Sequence, residues 1–147
     1  MLVVAAIIAL MVGVSMPSFS GGLDSLRLRS AAGTVSAALN MAMRTAERRQ
    51  LPVELSIESS RNQIVMQSVG GNAPRTFAIP SGVRIARVLP ALFSDEAQRD
   101  RYLILYPNGA PPQLLVELRT ERGAVKAVRL DPFTNTARVI DETNSQQ

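Results

Sequence analysis

Hydrophobic positions along the chain change their spacing twice, and each change marks a different kind of element. From Met1 to Met16 the residues are apolar except for Gly13 and Ser15, and no charge occurs before Asp24. A run that is apolar on every side lacks the polar face of a helix lying on a domain surface. It predicts a helix suited to lipid or to a bundle of similar helices, built on Leu2, Val3, Val4, Ile7, Ile8, Leu10 and Val12. A spanning helix needs roughly 20 apolar residues, so this run by itself is a few residues short. A secretory signal peptide has an apolar stretch of similar length, but it opens with basic residues and none precedes Leu2.

Pro17 removes a helical hydrogen bond and Gly21-Gly22 weaken the next turn, which predicts a kink or a meltable stretch. The helical period then becomes one-sided. Leu28, Ala32, Val35, Leu39, Ala42 and Ala46 recur in alternating steps of four and three, the stripe of a helix lying on a sheet. Arg27, Arg29, Asn40, Arg44, Glu47 and Arg48 are assigned to its other face.

Pro52 ends that pattern, because the residue before a proline is pushed out of the α region. Thereafter the period is two. Val53, Leu55 and Ile57 alternate with polar residues, a polar turn spans Glu58 to Asn62, and Ile64 to Met66 returns as a hairpin. Further strands are predicted over 76–79, 83–88, 102–106, 114–119, 125–130 and 137–140. They are divided by turn chemistry such as Pro80-Ser81-Gly82 and Pro107-Asn108-Gly109. No long helical segment separates them, so antiparallel meanders are expected rather than a doubly wound sheet. The fold class is therefore α+β. A long N-terminal helix, apolar in its first part and amphipathic in its second, packs on a small antiparallel β domain, with residues 1–21 as the apolar segment and 22–147 as the folded domain.

Composition narrows the chemistry. Without Cys, His or Trp, the chain has no disulfide, no thiolate or imidazole metal ligand and no Ser-His-Asp or Cys-His nucleophile. The clustered carboxylates Asp95, Glu96 and Asp100 lack the glycine turn of a calcium loop, and no glycine-rich phosphate loop occurs. No enzyme activity, cofactor or metal is expected. The net charge is +4, but the basic residues are scattered and interleaved with acids, so nucleic acid is not the expected partner. The candidate residues for the opposite reading are Arg119, Arg122, Lys126, Arg129 and Arg138 in the C-terminal strands, of which only part can share a side because strand side chains alternate, with Arg122, Lys126 and Arg138 the ones singled out.

The order of these parts resembles the type IV pilin-like proteins. Leu2 to Leu10 is similar to the middle of a prepilin-type N-terminal segment. Arg44 to Val53 (RTAERRQLPV) is similar to the end of the long helix in the minor pseudopilin H group of type II secretion systems and in FimT-type minor pilins. Leu103 to Gly109 (LILYPNG) and Thr136 to Val139 resemble the same group's C-terminal half. The family's basic leader, cleavage glycine, phenylalanine and glutamate have no counterpart, which suggests a start chosen at an internal methionine.

The resemblance implies a structural subunit of a secretion pseudopilus, near its initiation or tip. It would be held in the inner membrane as a single pass before assembly, with its C-terminal domain in the periplasm. Its implied partners are other pseudopilins or pilins through the N-terminal helix, together with the secretion-system assembly platform. The alternative it implies is a minor type IV pilin serving pilus biogenesis or DNA uptake.

Overall fold

A computed structural model describes residues 2–71, 73–90 and 100–140, and within the first helix it describes the side chains at 3–8 and from 21 onward. The chain is α+β. One helix, α1 (Leu2–Arg49), is followed by β1 (Val53–Glu58), β2 (Gln63–Ser68), β3 (Arg75–Ala78), β4 (Val83–Leu89), β5 (Asp100–Leu105), β6 (Leu114–Thr120), β7 (Val125–Asp131) and β8 (Thr136–Ile140).

The stretch from Pro17 to Gly22, expected to kink or melt, is helical and α1 is not interrupted there. A proline removes a single ladder bond, and helix already formed on both sides propagates across it at the cost of that bond. The stop comes where the sequence places it. Gln50 takes a left-handed conformation, φ 55°, and Leu51-Pro52 come next. The Gln50 side chain donates back to the Glu47 carbonyl at 2.7 Å and satisfies one of the last open helical acceptors.

The strands form two four-stranded antiparallel sheets, ordered β3-β2-β1-β5 and β4-β6-β7-β8. This departs from consecutive meanders. β4 leaves the first sheet for the edge of the second, and β5 returns to pair with β1, setting Leu55 opposite Leu103. A side chain explains part of the exchange. Asn62, left-handed at φ 54° in the β1–β2 turn, donates from Nδ2 to the Val83 carbonyl at 2.8 Å and accepts from the Ile85 N–H at 2.9 Å. Its amide thus takes the place of a neighbouring strand along the outer edge of β4.

The opposite edge of the second sheet is closed in the same way from the helix. The Asn40 amide accepts from the Ala137 N–H at 3.0 Å and donates to the Ala137 carbonyl at 3.3 Å, while Ser36 Oγ donates to that carbonyl at 3.0 Å. Asn40 therefore does not belong to the water-facing side on which the sequence pattern puts it. It serves an edge strand whose backbone groups would otherwise invite another chain.

A single buried cluster joins Leu28, Ala32, Val35, Leu39, Ala42 and Ala46 of α1 to Val53, Leu55, Ile57, Ile64 and Leu105 of the first sheet and Val116, Leu118, Val128 and Leu130 of the second. Ala31, Ala38 and Met43 are buried as well, so the helical stripe is wider than the four-three spacing indicates. Alanines at these points let the helix backbone lie close to the strands, while Val35 and Leu39 fill the space between the sheets. Each such fully buried aliphatic side chain contributes roughly 1.5–3 kcal/mol.

Candidate assembly surfaces

The domain begins on the helix at its first charged residue. Asp24 meets Arg122 of the β6–β7 turn at 3.5 Å and Arg27 at 3.9 Å, and Leu28, one turn further, is the first buried helical side chain among the described residues. Ahead of this point the described apolar side chains are uncovered. Val3, Val4, Ile7 and Ile8 are between 53% and 71% exposed, and Leu23 and Leu26 carry apolar exposure up to the domain boundary. The side chains of Leu2, Leu10, Val12 and Pro17 lie outside the described residues. Among the described residues no helix is long and apolar enough to cross a membrane.

The second surface is the outer face of the second sheet. Pairing places Arg84 opposite Arg119, Arg87 opposite Glu117, and Arg129 opposite Arg138, and these side chains share one face. Arg84 and Arg87 are three residues apart, an odd spacing that ordinarily sends two strand residues to opposite faces. A bulge between Ile85 and Arg87 absorbs Ala86 and returns Arg87 to the outside. The buried carboxylate of Glu117 accepts from Arg87 Nε and, at 3.1 Å, from Arg119 Nη2, holding two guanidinium groups against the sheet. The pairs Arg84–Arg119 and Arg129–Arg138 set like charges directly across from each other, an unfavourable arrangement that the Glu117 carboxylate offsets at Arg119.

Of the residues nominated from sequence for nucleic acid, Arg119, Arg129 and Arg138 lie on this face, whereas Arg122 is in a turn and ion-paired with Asp24, and Lys126 is in register with Leu118 in the row that faces the core. Arg84 and Arg87 are not among the nominated residues. Their signal lies in Val83-Arg84-Ile85-Ala86-Arg87-Val88, where the apolar spacing slips from two to three.

A third surface runs along β5, one of the two edge strands of the first sheet. Tyr102, Ile104 and Tyr106 project outward with exposures of 76%, 46% and 61%. Glu54 and Glu58 of β1 lie on the same face, opposite Ile104 and Asp100. The sequence pattern predicts a strand here without saying which side is buried. Leu103 and Leu105 are the residues that turn inward.

Among the described residues no group of His, Cys, Asp or Glu is arranged to hold a metal ion. Asp100 accepts from Ser60 Oγ at 3.2 Å, and Asp95, Glu96 and the acidic tail 141–147 lie outside the described residues. Asp131, the last residue of β7, has its carboxyl held below the ordinary range, chiefly by the Phe133 N–H, which donates to it at 2.9 Å.

No protein-family model matches the chain, and no curated protein or solved structure matches it.

Proposed function

We propose that the chain is a structural subunit of a pilin-type filament, a minor pseudopilin of a type II secretion pseudopilus. In this reading the apolar arm of α1 holds the subunit in the inner membrane before assembly, with the β domain on the periplasmic side. It then packs against the arms of other subunits in the filament. One observation carries the proposal: a single 48-residue helix whose start is apolar and exposed and whose second half is buried in its own domain. An apolar surface of this kind is tolerated only where lipid or similar helices cover it, and the two environments exchange at small cost because both are apolar. The subunit makes and breaks no bonds; energy for assembly comes from elsewhere.

The test uses the absence of cysteine. Ile7→Cys and Val4→Cys should place the full chain in the membrane fraction and give disulfide cross-links between subunits when secretion genes are co-expressed. A chain beginning at Gly22 should leave the membrane fraction. Full-length protein found only in the soluble fraction, without cross-links, contradicts the proposal.

The arginine face favours a second reading, a minor type IV pilin that takes part in DNA uptake. Electrostatic contact with phosphates would use Arg84, Arg87, Arg119, Arg129 and Arg138. Replacing Arg84, Arg129 and Arg138 by glutamine should then abolish binding that survives at about 0.15 M salt and should flatten its salt slope. The pseudopilin reading expects only weak binding, already lost at that salt.

A further inference from the structure

A pocket of about 440 Å³ opens between the C-terminal turns of α1 and the β2–β3 hairpin. It is lined by Met41 and Met66, by Arg48 and Arg49 from the helix, and by Arg75 from β3. Its size falls in the range of ligand sites, roughly 300–1,000 Å³.

Three observations converge there. Arg48, Arg49 and Arg75 have no carboxylate partner among the described residues, although ion pairs form elsewhere with Asp24, Glu58 and Glu117. Arg48 and Arg49 also offset the negative end of the helix dipole, but that does not account for Arg75, which comes from a strand and lies with Nη1 3.3 Å from the Met41 sulfur. Ser68 Oγ, in the pocket wall, is buried with no hydrogen-bond partner. Finally, β3, whose first residue is Arg75, is the outermost strand of its sheet, and among the described residues no strand is paired along its outer side.

We infer that this pocket binds an acidic peptide segment of a partner protein, added as a strand beside β3. Carboxylates two residues apart on one face of that strand reach the guanidinium groups, and an aliphatic side chain on the same face covers Met41 and Met66. A peptide suits the site better than a compact anion. The rim charges flank an open apolar groove, and the strand edge supplies main-chain hydrogen bonds that a small anion could not use. The inference stands apart from the assembly reading, since the arginine rim and the apolar arm lie at opposite ends of α1.

Fluorescence anisotropy on the full chain in detergent micelles tests it. The probe is the labelled hexapeptide Thr-Leu-Thr-Asp-Thr-Asp, compared with its Asn-for-Asp counterpart. The acidic peptide should bind at least tenfold more tightly than the amide version. Arg48→Gln combined with Arg75→Gln should remove at least nine-tenths of the affinity with an unchanged circular dichroism melt, as both side chains are exposed. Equal binding of the two peptides, or affinity indifferent to the arginine changes, overturns the inference. Binding of octanoate or inorganic phosphate that depends on the arginines, without peptide binding, also overturns it and marks a simple anion site. If the double variant unfolds, the comparison of the two peptides on the unaltered chain still decides.

Discussion

The two halves of α1 share one secondary structure and one backbone geometry, yet they live by different rules. Val35 and Leu39 are fully buried on one side of the helix, whose stability there is that of the tertiary contacts it makes. Around Val4 and Ile7 the same kind of side chain is more than half exposed, so packing against the domain contributes little there. Isolated helices of about a dozen residues are marginal in water. Burial in α1 is therefore set by what lies alongside each turn, and the described part of the arm has no cover among the described residues.

A buried charge should separate the two halves most strongly. Leu39→Asp should cost several kcal/mol and lower the melting temperature by many degrees, because the new carboxylate has no partner in the core. Ile7→Asp should leave the domain's melt unchanged and instead reduce partitioning into vesicles. Equal melting temperatures for the two variants would erase the distinction.

A smaller effect marks the boundary of the buried half. Asn40→Ala removes both of its hydrogen bonds to Ala137 and should cost about 1–3 kcal/mol in a denaturant titration, as the Ala137 N–H is left without its acceptor while Ser36 still serves the carbonyl. Arg44→Ala, on the exposed side, should fall within about 0.5 kcal/mol of the parent. The hydrophobic pattern alone ranks these two residues together.

Asp131 gives a weaker, pH-dependent signal outside the helix. Its folded-state carboxyl is held below the ordinary value, so the charged form is favoured on folding. Its contribution is therefore present above the unfolded value of about 3.9 and is lost as pH falls through the folded one. Asp131→Asn should melt slightly lower than the parent at neutral pH and converge with it in acid. A gap that persists unchanged through acid would place the effect in the turn's shape.

Pro17→Ala should have the least effect of all on the domain, since burial against the sheets begins at Leu28 among the described side chains. Its expected trace is slower amide exchange around positions 17–21, where a ladder bond is restored.

Local structure was readable in the sequence because periodicity and turn chemistry are local. The alternation at Val53, Leu55 and Ile57, the Pro80-Ser81-Gly82 turn and the helix stop before Pro52 each depend on a few neighbouring residues. The sheet assignment depends on partners distant in sequence. Asn62 reaches 21 and 23 residues ahead to hold β4 in the second sheet, and Asn40 reaches 97 residues to Ala137. Both asparagines read locally as turn or surface residues. The β4 part of the arginine face was hidden for a related reason: Arg84 and Arg87 share a side only through the bulge at Ala86. Of the exposed arm, the apolar character was legible, while the identity of its cover is a property of partners.

Residue-resolved amide exchange on the full chain, with and without phosphatidylglycerol-containing vesicles, examines both halves of α1 in one experiment. Residues 28–46 should be protected equally in both conditions, at the level of the whole domain. Residues 3–15 should exchange rapidly without lipid and become protected when vesicles are added. Protection of the arm in a monomer without lipid, or rapid exchange around Val35 and Leu39, would refute the division of α1 into a self-buried half and an arm that needs a cover.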